Sequence, residues 1–402
     1  MLLTKKNKIK IKKNDIESLK YQSNLCRLLY NAALEQRIMA WEMQKKSINV
    51  YEQKRELPQL KEEMPEYKKV YNKYLSETLF RLDEAFKGFY QRCKKNDEAK
   101  KGFPRFRGKH YFFTLTCPAM YVKKIDDKTL QLPQKIIIKT YEAIPDNFKE
   151  IHIVKQKNDW YITFAVNIEE QSQIKPKEVL GIDLGLKKLV TAINTSNKKI
   201  EYNHIKPGRK ELNRLDNLRS KRDKCIKFSR RWKYLTKRLK DELSEWRNRC
   251  IDWLHKVSYQ VIKKTEGIIV IGKLLQNTLL KDNRHLNRYI QNEWRLGKFK
   301  EFLKYKCKKF GRQLEEINEA YTTQDCFQCG NREKKSLSQR THKCECGFTY
   351  DRDINSALNI LKRFLLGLSH QERNKLNLSD FWLDVLGSPR NLNIDMNTFV
   401  YI

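Results

Sequence analysis

Residues 320–360 run AYTTQDCFQCGNREKKSLSQRTHKCECGFTYDRDINSALNI. Two close thiol pairs stand in this stretch, Cys326-Phe327-Gln328-Cys329 and Cys344-Glu345-Cys346, with a short loop between them. Four soft ligands at that spacing suit tetrahedral zinc. The second pair is one residue tighter than the common C-x-x-C knuckle. Gly330 and Gly347 follow the two pairs, which favours a structural knuckle over redox chemistry. Lys343 and Lys334-Lys335 would offset the charge of four thiolates, and His342 is a further candidate ligand. A site of four thiolates has no open position, so it holds shape and does not catalyse. Directly after it, Tyr350-Asp351-Arg352-Asp353-Ile354-Asn355 leads into a helix with apolar positions Ile354, Ala357, Leu358, Ile360 and Leu361. Taken alone, Asp353 reads as that helix's N-cap.

Upstream lies a second acidic signal, Gly181-Ile182-Asp183-Leu184-Gly185. A carboxylate among apolar residues on a predicted central strand needs a partner or a metal. The plain alternative is an Asp in a turn between short strands. Val179–Val190, Ala192–Asn194 and Lys199–Tyr202 read as consecutive strands. Gly267–Gly272 is an apolar strand of the kind buried on both faces, and Leu314–Ile317 is another strand. Lys210 to Lys264 is a long, basic helical stretch carrying Arg230-Arg231 and Lys237-Arg238, and Glu293–Phe310 is again helical and basic. Such helices are usually solvated faces, but this much like charge repels itself without an anion nearby.

The N-terminal half is separated by a polar linker, Glu169–Glu178, that contains Pro176. Residues 1–14 read as a basic strand. Helical spacing runs from Asp15 to Met43 and from Val70 to Cys93, with a loop carrying Ser47, Tyr51 and Leu57-Pro58 between them. The segment Lys101-Gly102-Phe103-Pro104-Arg105-Phe106-Arg107-Gly108-Lys109 is basic, aromatic and turn-rich. It suits phosphate contact and base stacking, or it is an ordinary connector. Strand patterns follow at Tyr111–Leu115, Lys135–Lys139 and Ile151–Val154, the last pairing with Trp160–Ile168 across Asn158-Asp159.

The 402 residues hold 84 Lys+Arg against 48 Asp+Glu, a formal charge of +36. Charge of that size calls for a polyanion, and nucleic acid is the natural one. A hydrophobic fraction of 40%, with 19 Tyr and 18 Phe, fits a globular chain and not a disordered basic tail. No long apolar run and no signal peptide is apparent, so a membrane partner is not expected and the cytoplasm, near the nucleoid, is. The other six cysteines, Cys26, Cys93, Cys117, Cys225, Cys250 and Cys307, are scattered and read as core residues or free thiols in a reducing compartment.

Several segments in this order resemble the transposon-encoded TnpB (OrfB) family, relatives of type V CRISPR effectors and Fanzor proteins. They are Leu25-Cys26-Arg27-Leu28-Leu29-Tyr30-Asn31, Leu82-Asp83-Glu84-Ala85-Phe86, Gly102-Phe103-Pro104-Arg105-Phe106, Gly181–Gly185, and Ala320-Tyr321-Thr322-Thr323-Gln324 with the knuckle and Asp351–Ile360 after it. The resemblance covers roughly residues 1–365. It implies an α+β protein with an RNase H-like (RuvC) nuclease core, a zinc-finger insert, and an N-terminal β-barrel with an inserted helical recognition segment. The implied boundaries are 1–14 with 101–170 for the barrel, 15–100 for the helical insert, 177–325 with 347–366 for the nuclease, 326–346 for the zinc insert, and 367–402 for a tail without a recognised motif.

The resemblance also implies a guide RNA from the transposon end, a double-stranded DNA target beside a short adjacent motif, and Mg²⁺ at the nuclease site. Asp183 and Asp353 match the first and last metal-binding carboxylates. The family's middle Glu has no counterpart: in Ile269-Val270-Ile271-Gly272-Lys273-Leu274, Gly272 stands in its place. Glu319, three residues before Thr322, stands where the resemblance implies a relocated Glu in some members, and with adjacent strands about 5 Å apart it could reach the same metal; otherwise it is a solvated neighbour of Glu315 and Glu316. Ser47, Tyr51, Asn72 and Ser76 are candidates for the adjacent motif, with helix-surface roles as the alternative. Arg105, Arg107, Lys109, Arg230 and Arg231 are candidates for phosphates. The chain is expected to act as a monomer. Two rival readings remain at this stage: a nuclease-dead guided DNA binder, if Glu319 does not compensate for Gly272, and a zinc-bearing nucleic-acid binder without a guide.

Overall fold

The computed structural model describes residues 1–94, 102–109, 111–185, 188–206, 208–273, 295–334, 339–387 and 400–401. Lys101, Leu274, Lys335, residues 293–294 of the expected basic helix and residues 388–399 of the tail lie outside them. The chain divides into two compact units, Met1–Glu169 and Glu170–Ile402.

In the first unit, β1 (Leu2–Ile11) leads into α1 (Lys13–Gln44), followed by α2 (Val50–Arg55), α3 (Leu57–Glu63) and α4 (Asn72–Lys94). Helix α1 buries Leu19, Leu25, Cys26, Leu29, Tyr30, Ala33 and Leu34, the spacing of one helical face, and α4 buries Leu75, Leu79, Leu82 and Phe86. The segment expected as a loop is partly helical, and a capping box explains why. The Asn49 side chain accepts from the N–H groups of Tyr51 and Glu52, and Glu52 reaches back to the Asn49 N–H. Tyr51 therefore sits on α2, and Leu57-Pro58 opens α3.

Strands β2 (Leu115–Pro118), β3 (Lys123–Asp126), β4 (Thr129–Gln131), β5 (Ile137–Thr140), β6 (Phe148–Gln156) and β7 (Asp159–Asn167) complete the unit. With β1 they form one antiparallel sheet in the order β2-β6-β7-β1-β5-β4-β3. The β6–β7 turn is Lys157-Asn158, one residue earlier than expected, with Lys157 at φ 55° and Gln156 paired to Asp159. The edge strands β2 and β3 are consecutive in the chain, joined only through residues 119–122. Six strand spacings amount to roughly 29 Å, whereas that connection reaches at most about 18 Å. The sheet must therefore curl until its edges approach, although no β2–β3 pairing closes it among the described residues.

The second unit is mixed α/β. Strands β8 (Glu178–Asp183), β9 (Lys188–Asn194) and β10 (Lys198–Asn203) form an antiparallel meander. The expected run Val179–Val190 is thus two strands, broken after Asp183. Helices α5 (Arg209–Asp223) and α6 (Arg230–Lys263) follow, separated by a turn where one basic helical stretch was expected. Then come β11 (Gly267–Gly272), α7 (Leu296–Lys309), β12 (Gln313–Ile317), the small hairpin β13 (Thr341–Lys343) and β14 (Thr349–Asp351), α8 (Arg352–Gly367), α9 (His370–Arg373), α10 (Asp380–Gly387) and β15 (Val400–Tyr401). The main sheet has the order β12-β11-β8-β9-β10-β15, with β11 parallel to β8 and β12 parallel to β11.

Strand β11 is buried throughout and alternates its side chains between two cores. Ile269 and Ile271 meet α6 and α7 on one face; Ile268 and Val270 meet α8 on the other. Gly181 makes the close approach of α8 possible, since a Cβ there would stand 2.7 Å from the Leu361 Cβ and 3.0 Å from the Ala357 carbonyl. The tail, featureless as sequence, is part of this fold. Trp382 and Val385 of α10 are fully buried, and Trp382 Nε1 donates to the Asn194 carbonyl at 3.3 Å.

Candidate functional site

The meander, β11, β12 and α8 bring three carboxylates to one end of the sheet. Asp183 is the last residue of β8, and Asp353 is the second residue of α8. Asp353 is not the cap: the Asp351 side chain accepts from the Asp353 and Ile354 N–H groups and does that work. Asp353 is thereby left to face Asp183. A single point beside Gly185, where its Cβ would be, lies 3.9 Å from both Asp183 Oδ2 and Asp353 Oδ2.

The third carboxylate explains the glycine. Strand β11 ends at Gly272, paired with Ile317 of β12, and the Lys273 N–H donates to the Ile317 carbonyl at 2.7 Å. The chain then turns through Asn318, and Glu319 folds back over Gly272. A Cβ on Gly272 would lie 2.7 Å from both Cβ and Cδ of Glu319. The Glu319 side chain fills the space that a side chain at 272 would occupy.

Electrostatics tie the three together. Burial, then the charge of Asp353, and more weakly that of Glu319, push the Asp183 pKa up to about 8. Burial pushes Glu319 up to about 7, opposed by Lys300. Asp353 is also raised, by burial and by Asp351. Such a cluster must hold protons or a cation near neutral pH. Lys300 on α7 donates to the Gly272 carbonyl at 2.9 Å and lies 3.4 Å from Glu316.

Two hydroxyls position the cluster, and neither is apparent from the sequence alone. Ser356, fully buried on α8, donates to Asp183 Oδ1 at 2.8 Å, which turns Oδ2 toward Asp353. Thr322 Oγ1 lies 2.9 Å from Ser356 Oγ and 2.9 Å from the Glu319 carbonyl, and its single proton serves one of the two. The two hydroxyls thus stand between the Asp183 side chain and the backbone of Glu319. His204 Nε2 lies 2.9 Å from the Gly185 carbonyl and completes the wall, with burial holding its pKa down.

The four cysteines of the knuckle converge as the spacing predicts: their Sγ atoms all lie within 4.8 Å of one another. Cys329–Cys344 and Cys326–Cys346 are 3.5 and 3.7 Å apart. Tetrahedral zinc with Zn–S of about 2.3 Å needs sulfurs about 3.8 Å apart, so the set fits zinc. His342 is not one of the four and packs edge-on to Phe348. A cation near the thiols is Lys362, whose ammonium donates to the Phe327 carbonyl at 3.2 Å and interacts with Cys326 and Cys329. Asn355 and Asn359 donate to the carbonyls of Thr322 and Asp325, which fastens the knuckle's root to α8. Among the described residues these cysteines are the only three or more such ligands drawn so tightly together. The carboxylates stand farther apart.

The candidate phosphate contacts have mixed roles. Arg105 and Lys109 are exposed. Arg107 is held in place: Asn31 brackets its peptide, donating to its carbonyl at 3.0 Å and accepting from its N–H at 2.8 Å. The Arg107 guanidinium covers the rings of Tyr30 and Tyr111. Arg230 and Arg231 are exposed at the start of α6. Ser47 rims an aromatic-walled cleft with Trp41, Phe86 and Phe103. Tyr51 packs edge-on against Phe80 of α4, Asn72 accepts from Lys61, and Ser76 is half-buried.

Residues 163–283 match the family described as "Probable transposase" (OrfB_IS605), and residues 297–360 match the "Cas12f1-like, TNB domain". The chain is 25% identical over 350 residues to a "Putative RNA-guided DNA endonuclease" of Streptomyces pristinaespiralis, covering 83% of this chain and 82% of that one. It is 26% identical over 306 residues to the "Putative RNA-guided DNA endonuclease InsQ" of Escherichia coli, covering 71% and 73%. A TnpB-like protein of Methanocaldococcus jannaschii is 26% identical over 255 residues, covering 59% of this chain and 90% of that one. No helix among the described residues is long and apolar enough to cross a membrane.

Proposed function

The chain belongs among the TnpB-type (OrfB) proteins, and from that premise we propose that it is an RNA-guided DNA endonuclease. A guide RNA from the transposon end would pair with one strand of a double-stranded target, and the protein would read shape, phosphates and a short adjacent motif. The N-terminal unit, with Ser47, Tyr51, Asn72, Ser76, Arg105, Arg107 and Lys109, would serve that recognition, and Arg230 and Arg231 would meet phosphates. The meander continued by two parallel strands supports an RNase H-like reading of the second unit, and the curled sheet supports a barrel-like reading of the first.

The observation that carries the proposal is Glu319 seated in the side-chain space of Gly272. Asp183, Glu319 and Asp353 would hold Mg²⁺. These are hard oxygen donors, the kind Mg²⁺ takes. Bound Mg²⁺ would neutralise charge at the scissile phosphate and lower the pKa of an attacking water. Ser356 fixes which oxygen Asp183 presents, Thr322 registers Glu319 against it, and the zinc-holding knuckle anchors the loop that carries both Glu319 and Thr322. Work on nucleic acid in the cytoplasm follows from this reading.

The test is to express the protein with the DNA flanking its gene, purify it with the RNA it retains, and offer matched duplex DNA with Mg²⁺. Cutting by wild type that disappears in Asp183→Ala is the expected result. Tight guided binding with no cutting by wild type would make the protein a guided binder, with Gly272 as the decisive residue.

A further inference from the structure

The antiparallel pair α5–α6 ends in a tip that the carboxylate centre does not use. Six residues, 224–229, turn the chain between the helices. Ile226 is 84% exposed and Phe228 is 64% exposed. The turn is well formed: the Ser229 N–H donates to the Ile226 carbonyl at 3.1 Å, and Ser229 Oγ accepts from the Trp232 N–H at 3.2 Å. Phe228 has φ +69°, a left-handed conformation that bulky side chains avoid. Its ring leans on Trp232 at 5.4 Å, and the Lys227 ammonium stands 5.4 Å from its centroid. The hairpin has its own small core of Leu215, Leu218, Leu235 and Leu239, to which neither Ile226 nor Phe228 belongs. Around the tip, residues 219–238 hold ten Lys or Arg and a single acidic residue, Asp223.

We propose that this tip is a stacking wedge, in which Phe228 and Ile226 lie against the open face of a terminal or unpaired nucleobase while Lys227, Arg230 and Arg231 hold the flanking phosphates. The proposal rests on the nucleic-acid-binding reading above and adds a site to it. Three features of the tip agree on that occupant. Its charge is complementary to a phosphate backbone. Its apolar groups are an aromatic ring and a branched aliphatic chain, the kinds that stack on or wedge between bases. Its backbone is held in a sterically costly state that displays the ring outward, where glycine would relieve the cost. Two apolar side chains are too few to form the broad face of a membrane-surface helix.

The first test replaces Phe228 with the photo-cross-linker p-benzoylphenylalanine in the full chain. The protein is irradiated with its copurified RNA, and in a second arm with matched duplex DNA added. Nuclease digestion and mass spectrometry then identify the adduct. A nucleotide adduct is expected, and the arm in which it arises distinguishes RNA from DNA. An adduct to peptide, from this chain or a partner, would overturn the proposal, as would no adduct.

The second test is Phe228→Gly, which relieves the backbone and removes the ring. Its melting temperature should equal or exceed wild type. Its affinity for blunt-ended RNA or DNA hairpins should fall about tenfold, the loss of one stacked base, with the salt dependence unchanged. Arg230→Gln with Arg231→Gln should instead flatten the salt dependence. Unchanged affinity in Phe228→Gly refutes the wedge and leaves the nuclease reading intact. A wild-type chain that binds no hairpin and retains no RNA would refute both.

Discussion

Gly272→Ala should slow cutting by on the order of 100-fold while leaving the protein folded. The added methyl would stand 2.7 Å from the Glu319 Cβ and Cδ, against about 3.5–4.0 Å for ordinary carbon contact. Strand β11 cannot retreat, because it is hydrogen-bonded to β8 and β12 and buried along its length. Glu319 has to move, and because its Cβ is among the clashing atoms, a change of side-chain rotamer alone does not clear the methyl. A displacement of about 1 Å at a reacting centre costs on the order of 100-fold in rate. Stability should change little. Overpacking costs about 1–3 kcal/mol in a closed core, but Glu319 is only partly buried and can swing toward water, and Ala is better than Gly in a strand by roughly 0.5–1 kcal/mol. Single-turnover cleavage and a thermal melt on the same preparation measure both quantities. The double variant Gly272→Glu with Glu319→Gly removes the clashing Cβ, returns a carboxylate to the shared space and should recover cutting that Glu319→Gly alone has lost. Cutting by Gly272→Ala within about threefold of wild type would refute the reasoning.

Ser356→Ala removes a hydrogen bond to a charged partner, worth about 1.5–3 kcal/mol; cleavage should slow by at least about tenfold, with the half-saturating Mg²⁺ concentration raised in the same assay. Asp183 has its folded pKa raised to about 8, so the native state binds a proton that the unfolded state has released above about pH 4. In Mg²⁺-free buffer the melting temperature should therefore fall as pH rises from about 5 to 8. Asp183→Asn should flatten that slope, and Mg²⁺ should restore the lost stability. Cys329→Ser should lower zinc content measured by elemental mass spectrometry and loosen the segment around 320–350; unchanged zinc and unchanged melting would remove the metal assignment.

The features that announce themselves locally were legible in the sequence. The periodicity of α1 and α4, the buried strand β11 and the cysteine spacing each rest on residues close together in the chain. Strands β3 and β4 were not legible, because Lys123–Asp126 and Thr129–Gln131 are polar and short, and only pairing with β5 makes them strands. Asp353, taken alone, reads as the helix cap; the backbone gives that role to Asp351 and leaves Asp353 to the cluster. In the sequence only its offset sets Glu319 apart from Glu315 and Glu316; its position over Gly272 is visible only in the fold. Ser356, Thr322 and Lys362 carry no local signal. Their partners lie 173, 34 and 35 residues away, reached only once α8 packs on the sheet and the knuckle.

The central claim is that Glu319 completes the site in place of a residue at 272. The most direct measurement is anomalous diffraction from crystals of the full chain with its RNA, soaked in Mn²⁺. The account predicts metal density at the end of β8, with oxygens of Asp183, Asp353 and Glu319 all at bonding distance, about 2.1 Å for a Mg²⁺-like ion. Density held by the two aspartates alone, with Glu319 out of reach, would contradict it.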